Sequence, residues 1–168
     1  MGIPKMVLGG VAMLRKKDAA FSATASSAAP QTDGCANSDV RGIHLLLAED
    51  NELSAEMIKM LLEDRGAAVE VAQNGRKALE MFENHAPGTY AVILMDMMMP
   101  ELDGIGATRA IRALAREDAR TIPILAMTAN EREEDARRCF EAGMNAHLCK
   151  PIRIEELAAS IVRLCKKA

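Results

Sequence analysis

From Ile43 onwards, short apolar runs alternate five times with longer segments whose apolar residues have helical spacing. Short, continuous apolar runs of this kind are typical of strands that are buried on both faces of a parallel sheet. Strands alternating with helices predict βαβ units, and right-handed crossovers then favour an α/β fold with a doubly wound, five-stranded parallel sheet of the flavodoxin-like kind. The predicted strands are Ile43–Ala48, Ala68–Ala72, Ala91–Met95, Ile124–Met127 and Ala146–Cys149.

Four of the intervening segments carry an apolar stripe that predicts an amphipathic helix packed on the sheet. The stripes are Leu53, Met57, Met60 and Leu61; Ala78, Leu79 and Phe82; Ala107, Ile111 and Leu114; and Ile154, Leu157, Ile161 and Leu164. The segment Glu131–Ala142 is weaker, because only Ala136, Cys139 and Phe140 are apolar on one side. We expect a helix there too, with its acidic start facing solvent.

The composition changes near Arg41. The preceding stretch is rich in Ala, Ser and Thr and has no useful apolar period, which predicts a linker or disordered tail over residues 1–41 and a domain over residues 42–168. The apolar segment Met6–Leu14 is too short to span a bilayer and is followed by basic residues, so we expect neither a membrane helix nor secretion.

The charge and the cysteines place weak limits on function. A net charge of -3 argues against nucleic acid as a direct partner, since a basic footprint is the usual requirement. The four cysteines show no metal-ligand spacing, which favours reduced thiols in the cytoplasm; they are Cys35, Cys139, Cys149 and Cys165. His44 and His85 have no evident partners in the sequence.

Residues with charged or hydroxyl side chains follow four of the five predicted strands. In a doubly wound sheet the site lies beyond the carboxyl ends of the strands, so these side chains should converge. They are Glu49, Asp50, Asp96, Thr128 and Lys150. Clustered carboxylates need a cation nearby, and their hard oxygens suit Mg²⁺. The set therefore predicts phosphoryl chemistry at Asp96, in which the metal, the ammonium and the hydroxyl hold phosphoryl charge.

Four motifs in this order resemble the response-regulator receiver family across Ile43 to about Lys166. The acidic pair is Glu49-Asp50, and the phosphoacceptor loop D-x-x-M-P-x-x-D-G is Asp96 to Gly104. The hydroxyl motif is Met127-Thr128-Ala129-Asn130, and Lys150-Pro151 matches the family's lysine and proline corner. The resemblance implies a (βα)5 receiver that takes a phosphoryl group from a histidine kinase or a histidine phosphotransfer protein.

The resemblance also implies a role for each residue. Asp96 is the phosphorylation site, while Glu49, Asp50, Asp96 and the backbone carbonyl of Met98 hold Mg²⁺. Thr128 moves toward the phosphoryl group and Lys150 contacts it, and the bond before Pro151 is expected to be cis. Phosphorylation then changes a face that the last strand and its flanking helices present to a downstream protein.

Two positions depart from the family pattern. His147 stands where the family usually has a switch Tyr or Phe, and it is either a titratable switch residue or a partly buried spacer. Met98 cannot orient a water molecule, so we expect slow loss of the phosphoryl group.

Three other functions compete with this interpretation. A phosphatase with an aspartyl nucleophile would want an acid two residues after Asp96, where Met98 stands. A flavin- or nucleotide-binding module would want a glycine- or hydroxyl-rich loop after the first strand, where Glu49 and Asp50 would repel phosphate. A degenerate receiver used only for protein contacts would not need the full set of site residues.

Within the receiver interpretation two lineages stay open. The chain ends shortly after its last predicted helix, which favours either a stand-alone regulator or the receiver piece of a hybrid histidine kinase. The motif Met127-Thr128-Ala129-Asn130 and the run from Cys139 to Met144 resemble the receivers of hybrid kinases more than those of transcription factors. The long tail before Arg41 fits a linker from an upstream module.

Overall fold

The structure is a computed structural model that describes residues 39–129 and 132–166. It contains five strands, β1 (His44–Ala48), β2 (Ala68–Ala72), β3 (Val92–Asp96), β4 (Ile124–Thr128) and β5 (Ala146–Cys149). The six helices are α1 (Glu52–Glu63), α2 (Gly75–Asn84), α3 (Gly104–Ala113), α4 (Glu117–Thr121), α5 (Glu133–Ala142) and α6 (Ile154–Cys165). Residues 1–38, most of the predicted tail, lie outside the described ranges.

All five strands are parallel and lie in the order β2-β1-β3-β4-β5. The chain moves outward from β1 to β2 and then returns to place β3 on the other side of β1. The strand order reverses at this point, so the carboxyl ends of β1 and β3 lie side by side. The predicted doubly wound, flavodoxin-like α/β fold is confirmed.

Each face of the sheet carries its own layer of buried side chains. Leu45 and Leu47 of β1 point to one face, where they pack in a cluster with Leu62 of α1 and Ile161 of α6. Leu46 points to the other face, whose cluster includes residues of α2, α3, α4 and α5. Every residue of β3 is buried, as expected of a central strand covered by helices on both sides.

The predicted stripe of α1 is wrong about which residues reach the core. Leu53, Met57 and Met60 are 80%, 53% and 64% exposed, whereas Ala55, Ile58 and Leu62 are buried. The helix has apolar residues on more than one side, so spacing alone does not decide which side meets the sheet. Phe140 of α5 is likewise half exposed instead of buried.

The short helix α4 was not predicted. It follows Arg116, whose guanidinium binds both carboxylate oxygens of Asp118 and the carbonyls of Phe82 and His85. These contacts hold the turn against the end of α2.

None of the helices in the described part of the chain has both the length and the apolar character of a membrane span.

A single guanidinium ties together three segments near the amino edge of the sheet. Arg112 of α3 donates to the carbonyls of Ala119, Ile122 and Gly143 and to the side chain of Asn145. Burial lowers the pKa of this guanidinium, but an arginine stays charged. Because its planar fork reaches several acceptors at once, a lysine cannot replace it.

We therefore expect Arg112→Lys to lower the free energy of unfolding by about 2–4 kcal/mol, because several partly buried carbonyls lose their donor. Urea denaturation measures the change. Arg109→Lys is the matched control, since Arg109 is exposed on the same helix, and it should cost less than about 0.5 kcal/mol. Equal stability of the two variants would contradict the role given to Arg112.

Candidate functional site

Three carboxylates meet at the carboxyl edge of the sheet because of the register between β1 and β3. Ala48 pairs with Met95, so Glu49 and Asp96, the next residue on each strand, lie side by side. Glu49, Asp50 and Asp96 each offer an oxygen within 4.8 Å of the other two. Glu49 and Asp96 are buried, whereas Asp50 is exposed. The predicted convergence of these three acids is present in the structure.

Lys150 places its ammonium between the two buried carboxylates. Its Nζ donates to Glu49 Oε2 at 2.7 Å and to Asp96 Oδ2 at 2.6 Å. The lysine follows β5, at the far end of the sheet from β2, and its side chain reaches across β4 to the switch point. The ammonium of Lys150 therefore joins the carboxyl ends of three strands, β1, β3 and β5.

Burial sets the electrostatics of this group. Burial raises the pKa of Glu49 and the charge of Asp96 adds to the rise, while the hydrogen bond from Lys150 opposes it. Burial also works against the charged form of Lys150, yet its hydrogen bonds to Asp96 and Glu49 outweigh burial and its pKa is raised. The three carboxylates and the single ammonium leave an excess of negative charge in the site, which opens to solvent at Asp50.

The loop after β3 is fixed tightly around Asp96. The backbone N–H of Met98 donates to Asp96 Oδ1 at 3.1 Å, which brings the Met98 backbone beside the carboxylate. Asp103 caps α3 by accepting from Gly106 N–H. A Cβ on Gly104 would overlap the carbonyl oxygen of Asp96, so only glycine allows this close return of the chain.

The other predicted residues lie on the last two strands. Thr128 is buried at the end of β4, and its carbonyl accepts from the backbone N–H of Lys150 at 2.7 Å. The Lys150–Pro151 bond is cis. The ring of His147 is half buried and meets the ring of Phe140 edge-on, with centroids 5.9 Å apart. Asn130 lies outside the described residues.

Two further acids line the site that the sequence analysis did not single out. Glu52 and Glu56, both exposed on the first turns of α1, line a cavity of about 530 Å³ together with Glu49 and Asp50. Their spacing of four residues puts them on one side of the helix. This spacing, together with the acidic pair Glu49-Asp50 that precedes it, could have identified Glu52 and Glu56 from the sequence.

Exposed apolar side chains lie on another side of α1. Met57 lines a second cavity, of about 270 Å³, whose walls also include Ile58, Leu157, Glu49 and Lys150. Leu53 and Met60 are exposed on the same helix. An apolar surface thus adjoins the ammonium and the buried carboxylate, and exposed patches of this kind commonly mark interaction sites.

We expect Lys150→Met to destabilise the metal-free protein by about 3 kcal/mol, because two buried carboxylates lose their shared cation. The loss should shrink as the pH falls, because in the variant the folded state binds more protons on these carboxylates than the unfolded state does. Chemical denaturation over a range of pH measures both effects.

Lys77→Met is the matched control, since Lys77 also pairs with a glutamate, Glu80, but at the exposed surface of α2. It should cost less than about 1 kcal/mol at any pH. A Lys150 variant as stable as the control would show that the buried pairs do not need the ammonium.

The sequence model of the response regulator receiver domain matches residues 45–162. Probable histidine kinase 2 of Oryza sativa subsp. japonica is 35% identical over 136 residues, which cover 74% of this chain and 13% of that protein. Hybrid signal transduction histidine kinase B of Dictyostelium discoideum is 37% identical over 71% of this chain and 6% of that protein. The chain thus corresponds to a small part of these kinases. An uncharacterized 14.6 kDa protein of Leptolyngbya boryana is 33% identical, with coverage of 72% of this chain and 88% of that one.

Solved structures give the same relationship. The receiver domain of sensor histidine kinase PA1611 from Pseudomonas aeruginosa PAO1, which holds a magnesium ion in its active site cleft, is 38% identical with a TM-score of 0.67. The match covers 74% of this chain and 98% of that one. The fold, the acidic cluster and these similarities agree, and the chain belongs to the response regulator receiver domain family of two-component signalling.

Proposed function

We propose that Asp96 is the phosphoacceptor of this receiver domain and that its donor is a phosphohistidine. One observation carries the proposal. The Asp96 carboxylate is buried at the switch point of the sheet, bonded to Lys150 and within 4.8 Å of the oxygens of Glu49 and Asp50. A structural acid at a strand end would not need two more carboxylates and a buried ammonium around it.

The site fits Mg²⁺. The donors are hard carboxylate oxygens, and a divalent cation would balance the charge that three carboxylates leave over one ammonium. Glu49, Asp50, Asp96 and the backbone carbonyl of Met98 would hold the ion. When bound, it would neutralise part of the charge on the phosphoryl oxygens.

The protein's own residues account for the remaining steps. An oxygen of Asp96 attacks phosphorus, the new P–O bond forms as the P–N bond of the phosphohistidine breaks, and the electron pair leaves with the imidazole nitrogen. The N–H of Met98 and the ammonium of Lys150 orient the two oxygens of Asp96 before the attack. Afterwards Lys150 pairs with the phosphoryl group, and the Thr128 hydroxyl hydrogen-bonds it.

The structural effect of phosphorylation would be transmitted through the last two strands, β4 and β5. A shift of Thr128 toward the phosphoryl group pulls on β4, which pairs directly with β5. His147 of β5 and Phe140 of α5 share a ring contact on the face that α5, β5 and α6 form. Phosphorylation biases two pre-existing arrangements of this face, and a downstream protein binds one of them.

The donor would be a histidine kinase or a histidine phosphotransfer protein. The apolar side chains of Leu53, Met57 and Met60 give such a protein a surface beside the opening of the site. Both lineages have counterparts, in the large kinases and in the small Leptolyngbya boryana protein. We propose a cytoplasmic receiver over residues 42–168 preceded by a linker, with no direct nucleic acid or membrane partner.

Incubation with acetyl phosphate and Mg²⁺ should add one phosphoryl group to the protein, as measured by intact mass. Asp96→Asn should abolish the addition because the amide is not a nucleophile, and a chelator should suppress it. Asp103→Asn is the matched control, since asparagine also caps a helix and this loop acid does not join the carboxylate cluster.

Phosphorylation of the Asp96→Asn variant to the same extent as the control variant would overturn the assignment. Circular dichroism of each variant shows that it is folded, so that a lost adduct reports the chemistry.

We expect the phosphorylated protein to lose its phosphoryl group slowly, because the exposed thioether of Met98 cannot orient an attacking water. Met98→Asn supplies a polar amide at this position and should shorten the lifetime by about tenfold. The decay is followed by intact mass after removal of the donor. A wild-type phosphoprotein that decays within seconds, or a variant that decays no faster, would contradict this role.

A further inference from the structure

Methionines surround Asp96 in the sequence. Four of them lie in the run Met95–Met99, which has Asp96 as its second residue. Met95 and Met99 are buried, and Met97 is half-buried. Met98 differs from these three, because 76% of it is exposed. The loop that carries the phosphoacceptor therefore presents one of its four thioethers to solvent.

The backbone of Met98 is held against the carboxylate of Asp96. Its N–H donates to Asp96 Oδ1 at 3.1 Å, so the side chain starts from a Cα that lies beside the carboxylate. The sulfur follows three bonds later on an unbranched, flexible side chain. Because this side chain is exposed, the sulfur can turn toward the opening of the site.

An exposed thioether reacts with oxidants of the peroxide class. The sulfur attacks one oxygen of hydrogen peroxide, an S–O bond forms as the O–O bond breaks, and the second oxygen leaves with both hydrogens as water. The sulfur is oxidised by two electrons to a sulfoxide, and the peroxide is reduced. Hydrogen peroxide is uncharged, so the carboxylates of Glu49, Asp50 and Asp96 do not repel it.

Oxidation changes what the Met98 side chain offers to a water molecule. A thioether sulfur is only a weak hydrogen-bond acceptor, whereas a sulfoxide is polar and carries an oxygen that accepts well. A polar acceptor near an acyl phosphate helps to orient the water that attacks it. The sulfoxide oxygen is four bonds from Cα, as is the side-chain oxygen of glutamine, so glutamine at position 98 imitates the oxidised residue.

We propose that the Met98 sulfur is a site of reversible oxidation and that its sulfoxide shortens the lifetime of the phosphoryl group on Asp96. The inference rests on the proposed function and adds a control of the same site. A peroxide-type oxidant ends the phosphorylated state sooner, and reduction of the sulfoxide by a methionine sulfoxide reductase restores the long lifetime.

The full chain is treated with hydrogen peroxide at mildly acid pH, where thiols are protonated and react poorly. It is then phosphorylated at neutral pH with acetyl phosphate and Mg²⁺. Peptide mapping gives the fraction of Met98 that is sulfoxide, and intact mass follows the loss of the phosphoryl group after the donor is removed. We expect a second decay phase about tenfold faster than the first, with an amplitude equal to the fraction of Met98 sulfoxide. Treatment with methionine sulfoxide reductase should remove the fast phase.

Three variants assign the fast phase to one sulfur. Met98→Leu has no sulfur at this position, so its decay should be the same before and after peroxide treatment. Met98→Gln carries the acceptor permanently and should decay at the fast rate with or without peroxide. Met60→Leu is the matched control, because it removes another exposed thioether, 64% exposed on α1, and should respond to peroxide as the wild type does.

Three results would overturn the inference. Met98 stays unoxidised while Met60 is oxidised, the Met98 sulfoxide form decays at the slow rate, or Met98→Leu also gains a fast phase. If the unoxidised wild type takes up no phosphoryl group, the proposed function fails and this inference fails with it. Uptake of the phosphoryl group with a decay that oxidation does not change overturns this inference alone.

Discussion

The ammonium of Lys150 between Glu49 and Asp96 is the contact on which the rest of the site depends. Two carboxylates that are almost fully buried would repel each other across neighbouring strands, and neither has enough water around it to screen the charge. Lys150 makes their burial tolerable with two short hydrogen bonds. It also links the switch point between β1 and β3 to the end of β5, the strand at one edge of the sheet.

Under the proposed function, the same contact would join the phosphoacceptor to the strands that respond to it. Under the proposed function, a phosphoryl group on Asp96 would take over the ammonium that Glu49 and Asp96 share, and the Thr128 hydroxyl would hydrogen-bond its oxygens. Thr128 and Lys150 are joined through the backbone at the ends of β4 and β5. The loop after β3 returns close to the Asp96 carbonyl at Gly104. Under the proposed function, the response would pass toward β5 and its helices.

The strands and the charged residues that meet at their carboxyl ends could be predicted because both follow from local patterns. Continuous apolar runs identify buried parallel strands, and the topology brings their carboxyl ends to one edge. The convergence of Glu49, Asp96 and Lys150 could therefore be predicted without knowing how the side chains pack. The buried side of α1 could not be predicted, since Leu53, Met57 and Met60 are as apolar as the residues that reach the core. The contact of Glu70 with His44 and His85 was also beyond the sequence. It depends on the register that sets Glu70 opposite Leu46 and on where α2 ends, and neither is written in local spacing.

The central claim is that the phosphoryl group is carried as an acyl phosphate on Asp96, and its chemistry allows a direct test. Borohydride reduces an acyl phosphate of aspartate to homoserine and leaves an ordinary carboxylate unchanged. After phosphorylation, reduction and digestion, tandem mass spectrometry should find homoserine at position 96 and aspartate at position 50. Homoserine at position 50, or a phosphoryl group that resists reduction and maps to a histidine, would contradict the account.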